Sequence, residues 1–202
     1  MEKKVNMAPC DEALGYWTIG IEYLHLVETV AAETVRQGNK FILVFDGADF
    51  SWEEYASQTR WSDSNLVVPL LFDFYHGVEV ILKGFLASKG KLEKKNHKLS
   101  DLLRAFNELF PGHRFSTLLS RYIVTDQLPE PLASFCLHSS ISIDDYYQAL
   151  KYPESIYGAI FRHTPLKYRS DAGLSFFNDL VNDIKEIRRE AVALGKSICP
   201  DP

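Results

Sequence analysis

Cysteine is scarce in this chain of 202 residues: Cys10, Cys136 and Cys199 lie far apart, with no Cys-x-x-Cys pair. An odd number at such spacing argues against a disulfide framework or a thiolate zinc site, and suits a reducing cytoplasm. Excess charge is also missing. A net charge of −5 and a pI near 5.7 give no overall attraction for nucleic acid, so binding of that kind needs a local basic patch. The N-terminus, MEKKVNMAPCDEALG, lacks the apolar core of a signal peptide. No Gly-rich phosphate loop, Gly-x-Ser-x-Gly elbow or His-Glu-x-x-His signature occurs, which removes the chemistries those motifs serve. Internal repeats, low-complexity tracts and domain linkers are absent too, so residues 1–202 read as a single domain, with 1–10 loosely ordered.

What the chain has is apolar bulk. Hydrophobic residues make up 46%, with 13 Phe, 10 Tyr and 3 Trp, enough for an ample core and too many for a disordered protein. The most apolar run is LVVPLLFDFYHGVEVILKGFLA, residues 66–87. It is long enough to span a bilayer. However, Asp73, Glu79 and Lys83 lie inside it, each costing about 2.5–3.5 kcal/mol in a membrane centre. It therefore reads as a buried core helix. At about 100° per residue, His76, Glu79 and Lys83 fall within roughly 60° of one another and form a narrow polar seam.

Helical patterns account for most of the rest. One runs from about residue 11 to 37, stopping at Gly38-Asn39, with Tyr16, Ile19, Tyr23, Leu26, Val27 and Val30 as its apolar face. A short capped helix starts at Ser51, and Ser62 to Asn65 supply N-cap candidates for the central helix. Further helices are expected near 99–110, 115–124, 130–138 and 143–150, and a last long one near 171–194. KFILVF, at 40–45, is a short β-rich stretch. The expectation is an all-α, up-and-down helical bundle with short additional helices and a short extended segment near 40–46.

FYHGVEVILKGFLASKG, followed by a charged turn and NHKLSDLLRAF, resembles the HEPN superfamily of helical domains. There one long helix carries a pattern like His76, Glu79 and Lys83, and a short turn leads to a helix opening like His97-Lys98-Leu99-Ser100-Asp101-Leu102. ALKYPE, at 149–154, looks like the Arg-Tyr-Pro stretch of bacterial members. The resemblance covers about a fifth of the chain, residues 65–106. It implies a cytoplasmic bundle that dimerises, with RNA or a nucleotide as ligand, in toxin–antitoxin, phage-defence or stress-response systems alongside a cognate partner protein. Active members are metal-independent RNases that carry Arg, four to six residues, then His near the last helix. Here Arg188 and Arg189 are followed by Val192, Ala193, Leu194 and Gly195 instead, so the imidazole that would act on a ribose 2′-hydroxyl is missing. A non-catalytic binding and dimerisation module is therefore favoured.

The ligand-binding candidates are His76, Glu79, Lys83, His97, Arg188 and Arg189. Glu79 and Lys83, four apart, can pair, and His76 can hydrogen-bond Glu79; a paired structural network or dimer contact is the plainer reading of the same residues. A divergent endoribonuclease would use His76 or His97 with Arg188 or Arg189. A metal-binding bundle enzyme is the third reading, because acid-x-x-His-x-x-Glu occurs at Glu22-His25-Glu28 and Asp73-His76-Glu79, with Asp179, Asp183 and Glu186 on the last helix. Glu22 and His25 belong to the polar side of their helix, however, so no metal or other cofactor is expected. Lys89, Lys91, Lys94, Lys95 and Lys98, with Arg104, form either a solvated turn or a phosphate-contacting patch.

Overall fold

The structure, a computed structural model, describes residues 9–42 and 51–200. Among these it is all-α: α1 (Pro9–Gln37), α2 (Trp52–Thr59), α3 (Asp63–Ser88), α4 (Leu99–Leu109), α5 (Arg114–Ile123), α6 (Glu130–Ser139), α7 (Tyr146–Ala149) and α8 (Ser170–Ile198). The chain after Gln37 is irregular through Ile42, and the rest of the stretch near 40–46 lies outside the described residues, as do residues 1–8. Pro9 and Cys10 already belong to α1, so that helix begins before Asp11.

Helix α3 is the core helix that its sequence requires. It is buried almost continuously from Val78 to Ala87, and its length and hydropathy would also suit a membrane span. Here α1, α4 and the middle of the chain cover it instead. Contacts between α1 and α3 run in opposite chain directions: Trp17 lies over Gly84, Gly20 against Gly77, and the Tyr23 ring against His76. The two helices are antiparallel and close. A Cβ on Gly20 would sit 2.5 Å from Ile81 Cγ1 and 2.9 Å from the Gly77 carbonyl oxygen.

That close approach corrects the expected face of α1. Its buried line is Ala13, Trp17, Gly20, Leu24, Val27 and Ala31. Tyr16, Tyr23 and Val30 are half-buried at the edge, while Ile19 is 50% and Leu26 49% exposed. Choosing the face by large side chains misses the small buried residues Ala13, Gly20 and Ala31, of which Gly20 sits directly against the α3 backbone.

Helix α8 packs antiparallel along another side of α1, with Arg188 paired to Glu28 and Gly195 beside Trp17. The start of α8 is pinned to the start of α3 by a buried carboxylate. Asp63 Oδ1 accepts from the Tyr168 amide at 2.8 Å, and Oδ2 from the Arg169 amide at 2.8 Å and Asn39 Nδ2 at 3.0 Å. Asn39, at φ 49°, returns the contact by accepting from the Asp63 amide at 2.6 Å. Asn tolerates this left-handed conformation, so the residue that stops α1 also joins three chain segments.

At the other end the structure overturns a cysteine argument. Cys10 and Cys199 form a disulfide with a Cα–Cα distance of 5.8 Å. A separation of 189 residues hides the pair in sequence, but antiparallel packing of the first and last helices brings their ends together. The premise for a reducing compartment therefore fails for these two cysteines. Cys136 is a free, buried thiol, and burial pushes its ionisation up to about 11.

Candidate functional site

The polar seam on α3 is organised around Glu79, which is buried and accepts three hydrogen bonds. Oε1 takes one from Lys83 Nζ at 2.7 Å and one from His97 Nδ1 at 2.9 Å, while Oε2 takes one from the Tyr146 hydroxyl. Lys83 Nζ also donates to the Lys94 carbonyl at 3.3 Å, which ties the turn after α3 back onto its helix. The Glu79 and Lys83 side chains are only 3% and 6% exposed, whereas that of His97 is 54% exposed. A buried ion pair is thus linked to a histidine that water reaches. Because a carboxylate only accepts, the His97 proton in this contact sits on Nδ1, which leaves Nε2 as the ring nitrogen outside the pair.

Local chain chemistry places each partner. Ser142 and Asp145 form a reciprocal capping box that starts the turn leading into α7. Asp144 accepts from the Ser100 amide at 2.8 Å and caps α4 from 44 residues away. Together these contacts bring Tyr146 beneath Glu79 and Tyr147 beside His97, with the His97 and Tyr147 ring centroids 5.7 Å apart. Burial first, then the hydrogen bond to Glu79, drives Tyr146 ionisation far above the ordinary phenol range. Tyr146 therefore serves as a neutral donor.

His76 does not join Glu79. Its ring makes an edge contact with Tyr23 at 4.8 Å and stacks over Phe72 at 6.0 Å, and Nδ1 is buried with no hydrogen-bond partner among the described residues. Helical spacing put the two residues on one side, but these aromatic contacts hold the imidazole away from a carboxylate that three other donors occupy. The neighbouring Asp73 carboxyl is pushed upward by burial, with His76 opposing the shift.

Arg188 and Arg189 take no part in the seam. Arg188 pairs with Glu28 between α1 and α8, and Arg189 with Glu186 and Glu190 along α8. Glu28 lies on a different side of α1 from Tyr23, which meets His76, and both partners of Arg189 belong to α8. The expected combination of His76 or His97 with either arginine is therefore not assembled.

Among the described residues no group of three or more His, Cys, Asp or Glu could hold a metal ion. Asp179 and Asp183 are bound by Arg121 at 2.8 and 2.6 Å, Asp183 also accepts from Tyr122, and Glu186 pairs with Arg114. His25 and Glu22 are exposed on α1. These carboxylates hold helices together.

Beyond His97 the surface is aromatic and basic. Tyr147 and Tyr152 are 39% and 49% exposed, and Lys151 Nζ lies 4.9 Å from the first ring centroid and 5.4 Å from the second. Of the lysines near the turn, Lys94 pairs with Glu12 and Lys89 lies over Phe110, while Lys91, Lys95 and Lys98 are exposed and make no ion pair among the described residues. Arg104 pairs with Asp101.

The chain matches no protein-family model, no curated protein and no solved structure. The site therefore has to be judged on its own geometry. Sequence reasoning found Glu79, Lys83 and His97 but missed Tyr146, Tyr147 and Asp144. The Ser142-x-x-Asp145 capping signature was a legible sign of a fixed turn there, but nothing local connects that turn to Glu79, 67 residues from Tyr146.

Proposed function

We propose that this protein is a HEPN-like module that binds RNA or a nucleotide and self-associates, without metal and without the nuclease motif of that superfamily. The observation that carries the reading is the His97 edge. A buried Glu79 fixes one nitrogen of a half-exposed imidazole, and Tyr147, Tyr152 and Lys151 stand beside it. Aromatic faces stack on bases at about 1–3 kcal/mol each, and cations attract phosphate without reading sequence. The order of seam helix, basic turn ending in His97 and helix α4 supports the HEPN resemblance; a defence or stress-response setting rests on the resemblance alone. Self-association is supported by Ile19 and Leu26, exposed on α1 beside the Tyr23–His76–Phe72 cluster.

Fluorescence anisotropy with labelled single-stranded RNA and with nucleotides tests the binding. Saturable binding that weakens in His97→Ala and Tyr147→Ala, with unchanged circular dichroism, supports the reading; no binding at low salt removes it. Light scattering at micromolar concentration tests self-association, which a monomer would refute.

One observation favours a second reading, a divergent metal-independent RNase. Glu79 orients His97 as a carboxylate orients the histidine of a general-base pair, with Nε2 left to take a proton. RNA cleavage by the purified protein in the presence of chelator, lost in His97→Ala, would establish it and displace the non-catalytic reading.

A further inference from the structure

We propose that the Cys10–Cys199 disulfide is a reversible thiol–disulfide exchange site that clasps an apolar groove between the start of α1 and the end of α8. The groove has a volume of about 480 Å³, and its lining includes both cysteines together with Leu14, Trp17, Val192 and Gly195. It is poorly covered: Leu14 is 60% exposed and Val192 44%. Neither cysteine is buried, so a small thiol reductant can approach the bond through the open groove.

Among the described residues, little else holds the two helix ends. From Cys10 onward, Ala13 is the first buried residue of α1, and Gly195 is the last of α8. Outside that layer, α1 has the exposed Glu12–Lys94 pair, and α8 has the partly buried Ile198 and the Cys199 amide donating to Gly195. Terminal turns with so few apolar contacts are the segments that open first once a covalent tie is released. The inner contact of Trp17 with Gly195 and the Glu28–Arg188 pair hold the rest of α1 against α8. Opening is therefore confined to the ends, and it widens the groove over the Trp17 ring.

The exchange balances with an external dithiol as reductant. One thiolate attacks a cystine sulfur and forms a mixed disulfide, releasing the other protein sulfur as a thiolate, which takes up a proton. The second thiol of the reductant then attacks the mixed disulfide. Two protein thiols and one cyclic disulfide of the reductant result. Cys136 does not compete, because it is buried and its high ionisation point leaves little thiolate near neutral pH.

The test uses full-length protein purified without reductant and equilibrated with oxidised glutathione. Thiols are counted by alkylation and mass spectrometry, and amide hydrogen exchange is followed before and after addition of dithiothreitol. One free thiol rising to three is expected, with exchange increasing several-fold in residues 10–16 and 192–199, little change in α3, and reversal on reoxidation. Cys136→Ser should rise from no free thiol to two with the same change in exchange, and a Cys10→Ser/Cys199→Ser variant should show the exchange pattern of the reduced protein throughout. Three free thiols in the oxidised sample would overturn the proposal. So would unchanged exchange at the ends, loss of protection across α3, or failure to reoxidise.

Discussion

The sharpest test of the seam is Glu79→Gln. The amide keeps nearly the same shape: its oxygen can still accept from Lys83 and His97, while its NH2 meets the Tyr146 hydroxyl as a donor, so the substitution chiefly removes charge. Lys83 then remains 6% exposed with a neutral partner and the Lys94 carbonyl. Breaking a buried pair in this way costs about 3–5 kcal/mol, because one ion stays buried without compensation. In a chain of this size each kcal/mol corresponds to about 2–4 °C, so the melting temperature should fall by roughly 6–20 °C. Adding Lys83→Met removes the orphaned charge and replaces it with an apolar side chain of similar reach. The double variant should recover most of the loss. Urea unfolding of the four proteins of the cycle, followed by circular dichroism, measures the coupling. A loss below about 1 kcal/mol for Glu79→Gln, or no recovery on adding Lys83→Met, would mean that the ammonium escapes to water and would refute the pairing argument.

Gly20→Ala places a Cβ 2.5 Å from Ile81 and should cost about 1–3 kcal/mol by overpacking, read as a lower urea midpoint. Alkali should unfold the protein. Tyr75, Tyr122 and Tyr146 have ionisations raised chiefly by burial, so above the ordinary tyrosine value, near 10, the unfolded chain ionises while the folded one does not. Stability is full below that point and lost as pH rises through it, by roughly 4 kcal/mol for the three groups one pH unit higher; flat stability from pH 9 to 11 would contradict this. In oxidised protein, Cys10→Ser should lower unfolding free energy by roughly 5 kcal/mol on the chain-entropy account, since the bond closes a loop of 189 residues in the unfolded state. Denaturation with and without reductant should show that the difference disappears when both proteins are reduced.

The sequence alone determined the helices, since their signals are local. Apolar spacing, Ser51 ahead of α2, Gly38-Asn39 after α1 and Pro111-Gly112 after α4 act within a turn or two of the chain. It also determined that Glu79 and Lys83 would face one another, because one helical turn separates them. What the tertiary structure decided depends on distances between segments remote in sequence. Tyr146 completes the Glu79 cluster from 67 residues away, and Arg188 is taken by Glu28 across 160 residues. The buried face of α1 mixes the small residues Ala13, Gly20 and Ala31 with Trp17, Leu24 and Val27, and the close approach of Gly20 to α3 helps set it. Cys10 and Cys199 meet only because the first and last helices run antiparallel, and no rule of spacing along the chain foresees that contact.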